Sequence, residues 1–342
     1  MATADVTVMG GGIFGLACAH ACAARGARVR LIERDRIGAG SSGGLVGALA
    51  PHAPETWNPK KQFQLESLLM AGAFWAGVAA AGGVDPGYAR EGRIQPAPDP
   101  SRAAELAAGA ARHWQGAADW RLVPAADHEG WLATGGSLSF DTLTARLSPR
   151  AAGAALAAAI RARGGEIVPG EARPEGAVIW ATGAAGLAEL SAALGRPVGT
   201  GIKGQAASFT HDARGRPQIY ADGLHIVPHG DGTVAVGSTT ERDFADGAAT
   251  DDRLEALIER ARALCPPLRA APVIDRWAGV RPRSRTRAPM LGPWPGRPGQ
   301  FVANGGFKIG FGMAPKVAEV MADLVLEGRD GVPDGFRVED CL

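Results

Sequence analysis

Gly10, Gly12 and Gly15 interrupt the chain just after Asp5-Val6-Thr7-Val8-Met9, a run of strand formers, and around the start of an Ala-rich stretch from Ile13 to Arg25. So placed, the three glycines fit G-x-G-x-x-G. The first permits a tight turn out of a strand, the second lets a pyrophosphate approach the backbone, and the third lets a helix pack closely on the sheet. The helix N-terminus behind them offers free N–H groups and a partial positive charge to phosphate. Glu33, 18 residues after Gly15, ends a second strand-like run from Ala27 to Glu33. A carboxylate there accepts both hydroxyls of an adenosine ribose and repels a 2′-phosphate. Together these residues are suited to hold an adenine dinucleotide. The fingerprint alone does not separate NAD from FAD.

The elements that must position them read as strand, turn, helix and strand within about 30 residues, a βαβ unit with right-handed parallel pairing. Gly26 sits where a helix ends in the left-handed conformation. A Gly/Ser-rich loop, Gly38 to Gly44, follows. Helices are expected at about Lys60 to Ala81, Ala103 to Gln115, Leu143 to Arg163, Asp252 to Leu264 and Ala314 to Glu327. Glu166 to Val168 and Ala177 to Ala181 read as strands. Gln205 to Phe209, Gly223 to Val227 and Thr233 to Gly237 read as antiparallel strands, the last two joined by the turn His229-Gly230-Asp231-Gly232. A parallel-sheet domain interrupted by an antiparallel one is the simplest account.

Composition narrows the function classes. With 342 residues there is length for about two domains. A balance of 36 Lys+Arg against 35 Asp+Glu, with no long basic run, argues against a nucleic-acid partner. Four cysteines are too few for a disulfide scaffold, and Cys18 and Cys22 have no clustered partners to complete a zinc site, so no metal is expected. A cytoplasmic setting follows from this and from an N-terminus without a basic leader. Ser67 to Val84 carries no charge and approaches the length of a membrane span. Its Ala and Gly content reads instead as a helix buried against a sheet, so no membrane span is expected.

Beyond the fingerprint, segment after segment resembles the D-amino-acid oxidase family of FAD-dependent oxidoreductases, in its glycine oxidase and sarcosine oxidase-like branch. Ser41-Ser42-Gly43-Gly44 with Ala48-Leu49-Ala50-Pro51 is similar to the loop that runs along the pyrophosphate and flavin. Val178 to Ala184, containing Ala181-Thr182-Gly183, is similar to a second flavin-contacting strand. Ile202-Lys203-Gly204-Gln205, His225-Ile226-Val227-Pro228 and Val234 to Thr239 resemble the substrate-side strands. Trp277-Ala278-Gly279-Val280-Arg281-Pro282 resembles W-A-G-L-R-P, and Gly305-Gly306-Phe307-Lys308-Ile309-Gly310 the closing flavin loop. The matches keep family order from residue 6 to about 328.

The resemblance implies an α/β fold: a Rossmann-like FAD-binding domain with a parallel sheet (1–84, 138–200 and 277–342) and an antiparallel-sheet substrate domain (85–137 and 201–276). It implies FAD held by Gly10, Gly12, Ile13, Phe14, Gly15, Glu33, Arg34, Ser41 to Gly44, Leu49, Ala50, Val168, Ala181, Thr182, Gly183, Gly279, Arg281 and Gly305 to Ile309. It further implies hydride transfer from the Cα of an amine or amino acid to flavin N5, hydrolysis of the resulting imine, and oxygen or another electron acceptor. Arg281 sits where the family clamps a substrate carboxylate, a task suited to its planar fork; the plainer reading is a structural ion pair. His225 stands where relatives carry Tyr, and Lys308 where they carry Arg. His225 either hydrogen-bonds the substrate or is a packed histidine, and Lys308 either stabilises negative charge at the flavin N1/C2 edge or helps activate oxygen, or is a solvated lysine. His52 and the pair Gln62 and Gln64 lie near the flavin loop. The meander that relatives insert after Ile167 is trimmed to Val168–Ala177, leaving Val168 or Ala172 to meet the adenine. The competing readings are an NAD-linked dehydrogenase and a non-catalytic flavin-binding module.

Overall fold

The computed structural model describes residues 4–342. Its first sheet has six strands, in the order Met290–Pro293, Gln300–Asn304, Ala177–Trp180, Val6–Met9, Val29–Glu33 and Glu166–Pro169. All neighbours are parallel except the edge strand Met290–Pro293. Val6–Met9 is therefore central, as a buried VTVM run requires. The helix Ile13–Ala24 follows it directly and ends at Arg25, with Gly26 left-handed at φ 83°. It packs against Pro149–Ala162 and Gly310–Glu327 in one helical layer.

The long helix Pro59–Gly82 starts at an Asn58 cap whose side chain accepts the Lys61 N–H. It is long and apolar enough to cross a membrane by length and composition. It packs on Pro149–Ala162 and Gly310–Glu327, so its partner is the helical layer and not a sheet. Phe63, Leu68, Trp75 and Val78 form the buried stripe, while Leu69 on the other side stays exposed.

The second sheet has eight strands, in the order Val273–Ser284, Gly199–Thr210, Thr233–Gly237, Leu224–Pro228, Gln218–Ala221, Arg93–Pro96, Ser137–Asp141 and Trp120–Pro124. Only Gln218–Ala221 and Arg93–Pro96 run parallel. The alternation of side chains makes this sheet two-faced. Ala207, Ile219, Ile226, Val234 and Val236 turn to one side and form a core with Leu254, Leu257 and Ile258 of the helix Asp252–Leu264. The opposite face carries Trp277, Ala206, Gly237, His225 and Tyr220, which are cross-strand partners in one row.

Two further expectations are corrected. The helix expected from Leu143 starts at Pro149. Proline is favoured in the first turn and disfavours helix in the residue before it, so Ser148-Pro149 marks the true start. Ala145–Arg146 is instead a short strand paired with Ala48–Leu49. The last helix begins at Gly310, four residues earlier than Ala314, and contains Pro315.

Candidate active site

The end of the first strand, the start of the first helix and the Ser41–Gly43 turn surround a cavity of about 800 Å³, within the range of small-ligand sites. The fingerprint glycines take three different roles there. A Cβ on Gly10 would stand 2.5 Å from the Ala181 carbonyl oxygen, and its φ of 107° excludes most side chains. On Gly15 it would stand 1.9 Å from the Gly10 oxygen. Those two serve close packing. On Gly12 a Cβ would meet only Ser42 Oγ, at 3.3 Å, so this position is open toward the cavity. Ile13 N–H, the first donor of the helix, gives its hydrogen bond to that same Ser42 Oγ at 2.9 Å. The hydroxyl comes from a loop 29 residues away and holds it against the helix start.

Glu33 lines the same cavity. Its carboxylate accepts from Gly11 N–H at 2.6 Å and from Asp35 N–H at 2.9 Å, which fixes its direction and leaves lone pairs free for hydroxyl donors. Arg34 stands beside it. Gly170, Glu171, Ala172 and Pro174 of the shortened connection close that end of the wall. An open backbone at Gly12, a helix start and a fixed carboxylate suit an adenine dinucleotide, so the donor set fits this group.

The structure brings most expected residues to this wall: Gly10, Gly12, Ile13, Phe14, Glu33, Arg34, Ser41, Ser42, Ala181, Thr182, Gly183, Gly279, Gly306 and Phe307 all border the cavity. Gly15 lies beneath it, and Gly43 packs on the Gly38 oxygen. Gly44 faces the Trp277 ring, and Gly305 faces Ser284. Leu49 is buried, the Ala50 carbonyl accepts from Gln64 Nε2, and Ile309 precedes the last helix. Val168 is not on the wall. It lies in the edge strand beside Ile32, while Ala172 lines the cavity. His52 and Gln64 pair with one another, Gln64 Oε1 accepting the His52 N–H at 2.7 Å, so they brace the loop; Gln62 turns to Trp57 and Glu66.

Arg281, His225 and Lys308 stand off this wall, Arg281 and His225 on the face of the larger sheet that carries Trp277 and Tyr220. The Arg281 guanidinium lies where Gly204 has no side chain: a Cβ there would fall 1.9 Å from one of its nitrogens. It is only 8% exposed and donates to the Thr239 carbonyl at 3.3 Å. Burial, partly offset by Glu241, lowers its pKa to about 10. Lys308 Nζ donates to Thr240 Oγ1 at 2.8 Å, and burial followed by the Arg281 charge pulls its pKa down. His225 is held neutral: burial, then Arg93 and Lys308, drive its pKa to about 3.

The sequence pattern of the FAD dependent oxidoreductase family matches residues 5–324. The chain belongs to this family. Its cofactor is accordingly FAD, and it is an enzyme. A glycine oxidase of Geobacillus kaustophilus is 26% identical over 357 aligned residues, covering 94% of this chain and 92% of that one. A Pseudomonas putida glycine oxidase is 36% identical over 134 residues, 39% of this chain and 36% of that one. Among solved structures, glycine oxidase from Geobacillus kaustophilus superposes with a TM-score of 0.85 at 24% identity, over 99% of each chain. Iminodiacetate oxidase from Chelativorans sp. BNC1 gives 0.84 at 21%, over 97% of this chain and 98% of that one.

In this FAD-dependent oxidoreductase the fold also brings forward residues that the sequence reading passed over. Tyr220 pairs with His225 across adjacent strands, ring centroids 4.6 Å apart. Arg93 lies 5.9 Å from the Tyr220 ring and pairs with the buried Asp141 at 3.0 Å. Asp222-Gly223, with φ values of 50° and 75°, was the available signal for that hairpin. Asp246, Gly247 and Ala248 also reach the cofactor cavity. Among the described residues no three His, Cys, Asp or Glu side chains gather as metal ligands would.

Proposed function

We propose that the protein oxidises the Cα–N bond of a small amine or amino acid bearing a carboxylate, with Arg281 as the carboxylate clamp. One observation carries this reading: a guanidinium 8% exposed, seated over the bare backbone of Gly204, whose hydrogen bond within the protein is to one carbonyl and which forms no ion pair among the described residues. A buried guanidinium without a carboxylate is costly, and a substrate carboxylate supplies the missing partner in fixed, bidentate geometry. Relatives named glycine oxidase support the substrate class. The flavin, when bound, supplies the acceptor for a hydride leaving the substrate Cα, and water hydrolyses the imine product.

The chain's own groups orient and exclude. Gly12, Ile13, Ser42 and Glu33 hold the diphosphate and ribose, Ala172 borders the adenine end, and Ala181 to Gly183, Gly279 and Gly306 to Phe307 border the rest. His225, neutral in its buried place, takes no part as a proton donor at neutral pH; with Tyr220 it shapes the substrate side. Oxygen or another acceptor reoxidises the enzyme, which acts in the cytoplasm. The cofactor unit is made of 1–84, 138–200 and 277–342 and the substrate unit of 85–137 and 201–276. The test is anaerobic addition of carboxylated amines to the yellow holoenzyme, with Arg281→Ala beside it. Bleaching is expected in the wild type, with substrate affinity lost by at least about tenfold in the variant. A variant of unchanged affinity removes the clamp, and a flavin that no amine bleaches removes the reaction.

A further inference from the structure

Around Arg281 the fold balances its charges in two closed groups. Arg93 and Asp141 form a pair at 3.0 Å, both largely buried. Lys203 and Arg253 face Glu241 and Asp251, with Glu241 at 3.7 and 3.0 Å and Asp251 at 3.8 Å from each. Gln205 Nε2 donates to both carboxylates, at 2.9 and 2.7 Å, and Thr239 Oγ1 donates to Glu241. Two cations against two anions, and one against one, leave each group neutral.

Two cations remain. Arg281 and Lys308 donate to consecutive residues, Thr239 and Thr240, and neither forms an ion pair among the described residues. Glu241 anchors this stretch through its side chain and through paired backbone hydrogen bonds with Lys203. The cradle thus holds a guanidinium and an ammonium on consecutive residues; burial first, and then the Arg281 charge, lower the pKa of Lys308. The hydrogen bonds to neighbouring threonines set Arg281 and Lys308 side by side, and the Lys308 charge also disfavours protonation of His225. A substrate with a single carboxylate compensates one of the two cations and leaves the other beside it.

Resting on the amine-oxidation reading above, we propose that the substrate carries two carboxylates, one clamped by Arg281 and the second met by Lys308. The division suits the two side chains. The planar fork of arginine fixes the carboxylate next to the reacting carbon, while the flexible, more exposed lysine is a point charge that tolerates a second carboxylate at variable reach. Dicarboxylic amino acids and amines with an acetate arm on each side of nitrogen are members of this class.

The test uses FAD-loaded enzyme and matched pairs: alanine with aspartate in both enantiomers, N-methylglycine with iminodiacetate, and the non-reacting acids acetate with malonate. Affinity is read from perturbation of the flavin spectrum and, for amines, from anaerobic bleaching. In the wild type each dicarboxylate is expected to bind at least about tenfold tighter than its partner, and Lys308→Met is expected to collapse that ratio toward one. Equal affinities in the wild type, or a ratio that survives Lys308→Met, overturn the proposal. So does a variant that changes only the flavin's reduction potential, since the lysine then serves the cofactor. The two readings fail separately. Bleaching by monocarboxylates alone keeps amine oxidation and rejects the second carboxylate. If no amine bleaches the flavin, amine oxidation fails, and the ratio for acetate and malonate still decides what Lys308 recognises.

Discussion

The three fingerprint glycines allow one substitution to be made at three places with three different results. Gly15→Ala sets a methyl 1.9 Å from the Gly10 oxygen and 3.3 Å from Ala181 Cβ, so the first helix must lift off the first strand. Overpacking of this kind costs about 3 kcal/mol or more. Gly10→Ala meets the Ala181 oxygen at 2.5 Å and adds the strain of φ 107°, for a loss of similar size. Gly12→Ala differs from both. Its backbone, φ −80° and ψ 178°, is one that alanine adopts freely, and Ser42 Oγ at 3.3 Å is its one close neighbour. Reduced freedom of the unfolded chain offsets the poorer helix cap, so its stability stays within about 1 kcal/mol of wild type. The new methyl, however, points where a diphosphate must approach the backbone. Urea unfolding of the three flavin-free proteins, followed by FAD titration with quenching of flavin fluorescence, separates these effects. Gly12→Ala is expected to keep the wild-type urea midpoint and to lose FAD affinity by at least about tenfold, a change of about 1.4 kcal/mol. If it unfolds as early as Gly15→Ala, or binds FAD as the wild type does, the division of roles is refuted.

Other residues make separate demands. Glu33→Gln keeps an acceptor for Gly11 N–H but replaces a charged partner of the ribose with a neutral one, so FAD affinity should fall about five- to thirtyfold while FMN affinity stays put. Fluorescence titration with each flavin checks this. His225 has a folded pKa of about 3 against an ordinary 6.5, so below pH 6.5 the unfolded chain takes up a proton that the folded one refuses, and stability falls with pH. Between pH 7 and pH 5 this amounts to about 2 kcal/mol, which His225→Gln should abolish in paired urea melts. Asp141→Asn leaves the Arg93 guanidinium buried without its charge partner and weakens the acceptor of the Thr144 N–H. A loss of about 3 kcal/mol is expected by chemical denaturation.

The cofactor half was legible because its determinants are local. A strand, three glycines, a helix and an acidic strand end occur within 33 residues, and each has a fixed place in one βαβ unit. The larger sheet was legible only in part, because its determinants are brought together by register. Tyr220 becomes the neighbour of His225 through a hairpin whose Asp222-Gly223 turn carries the signal, and the first strand of that hairpin was not expected. Arg93, more than 120 residues from Tyr220, joins them through the one parallel pairing of the larger sheet. The helix expected from Leu143 failed for a different reason. Leu143 to Leu147 has helix-compatible side chains, but Ala145 and Arg146 pair with Ala48 and Leu49, and the tertiary pairing outweighs local preference.

The same register logic explains how the Trp277 face of the larger sheet makes room for a charge. In the row from Trp277 to Tyr220, the second and third places are Ala206 and Gly237, the smallest residues of the row. Val46 of the flavin-side loop settles over them, since a Cβ on Gly237 would meet Val46 Cγ2 at 2.6 Å. Two residues from Ala206 on the same strand, Gly204 leaves bare backbone under the Arg281 guanidinium. Small residues therefore do two different things on one sheet face: they let the cofactor loop close down at the centre, and they let a long cation lie flat beside it. Enlarging Gly204 and enlarging Gly237 should consequently have separable effects, the first on carboxylate affinity and the second on seating of the 44–50 loop. A bulkier residue at Gly204 that left carboxylate affinity intact would show that Arg281 does not need the flat seat.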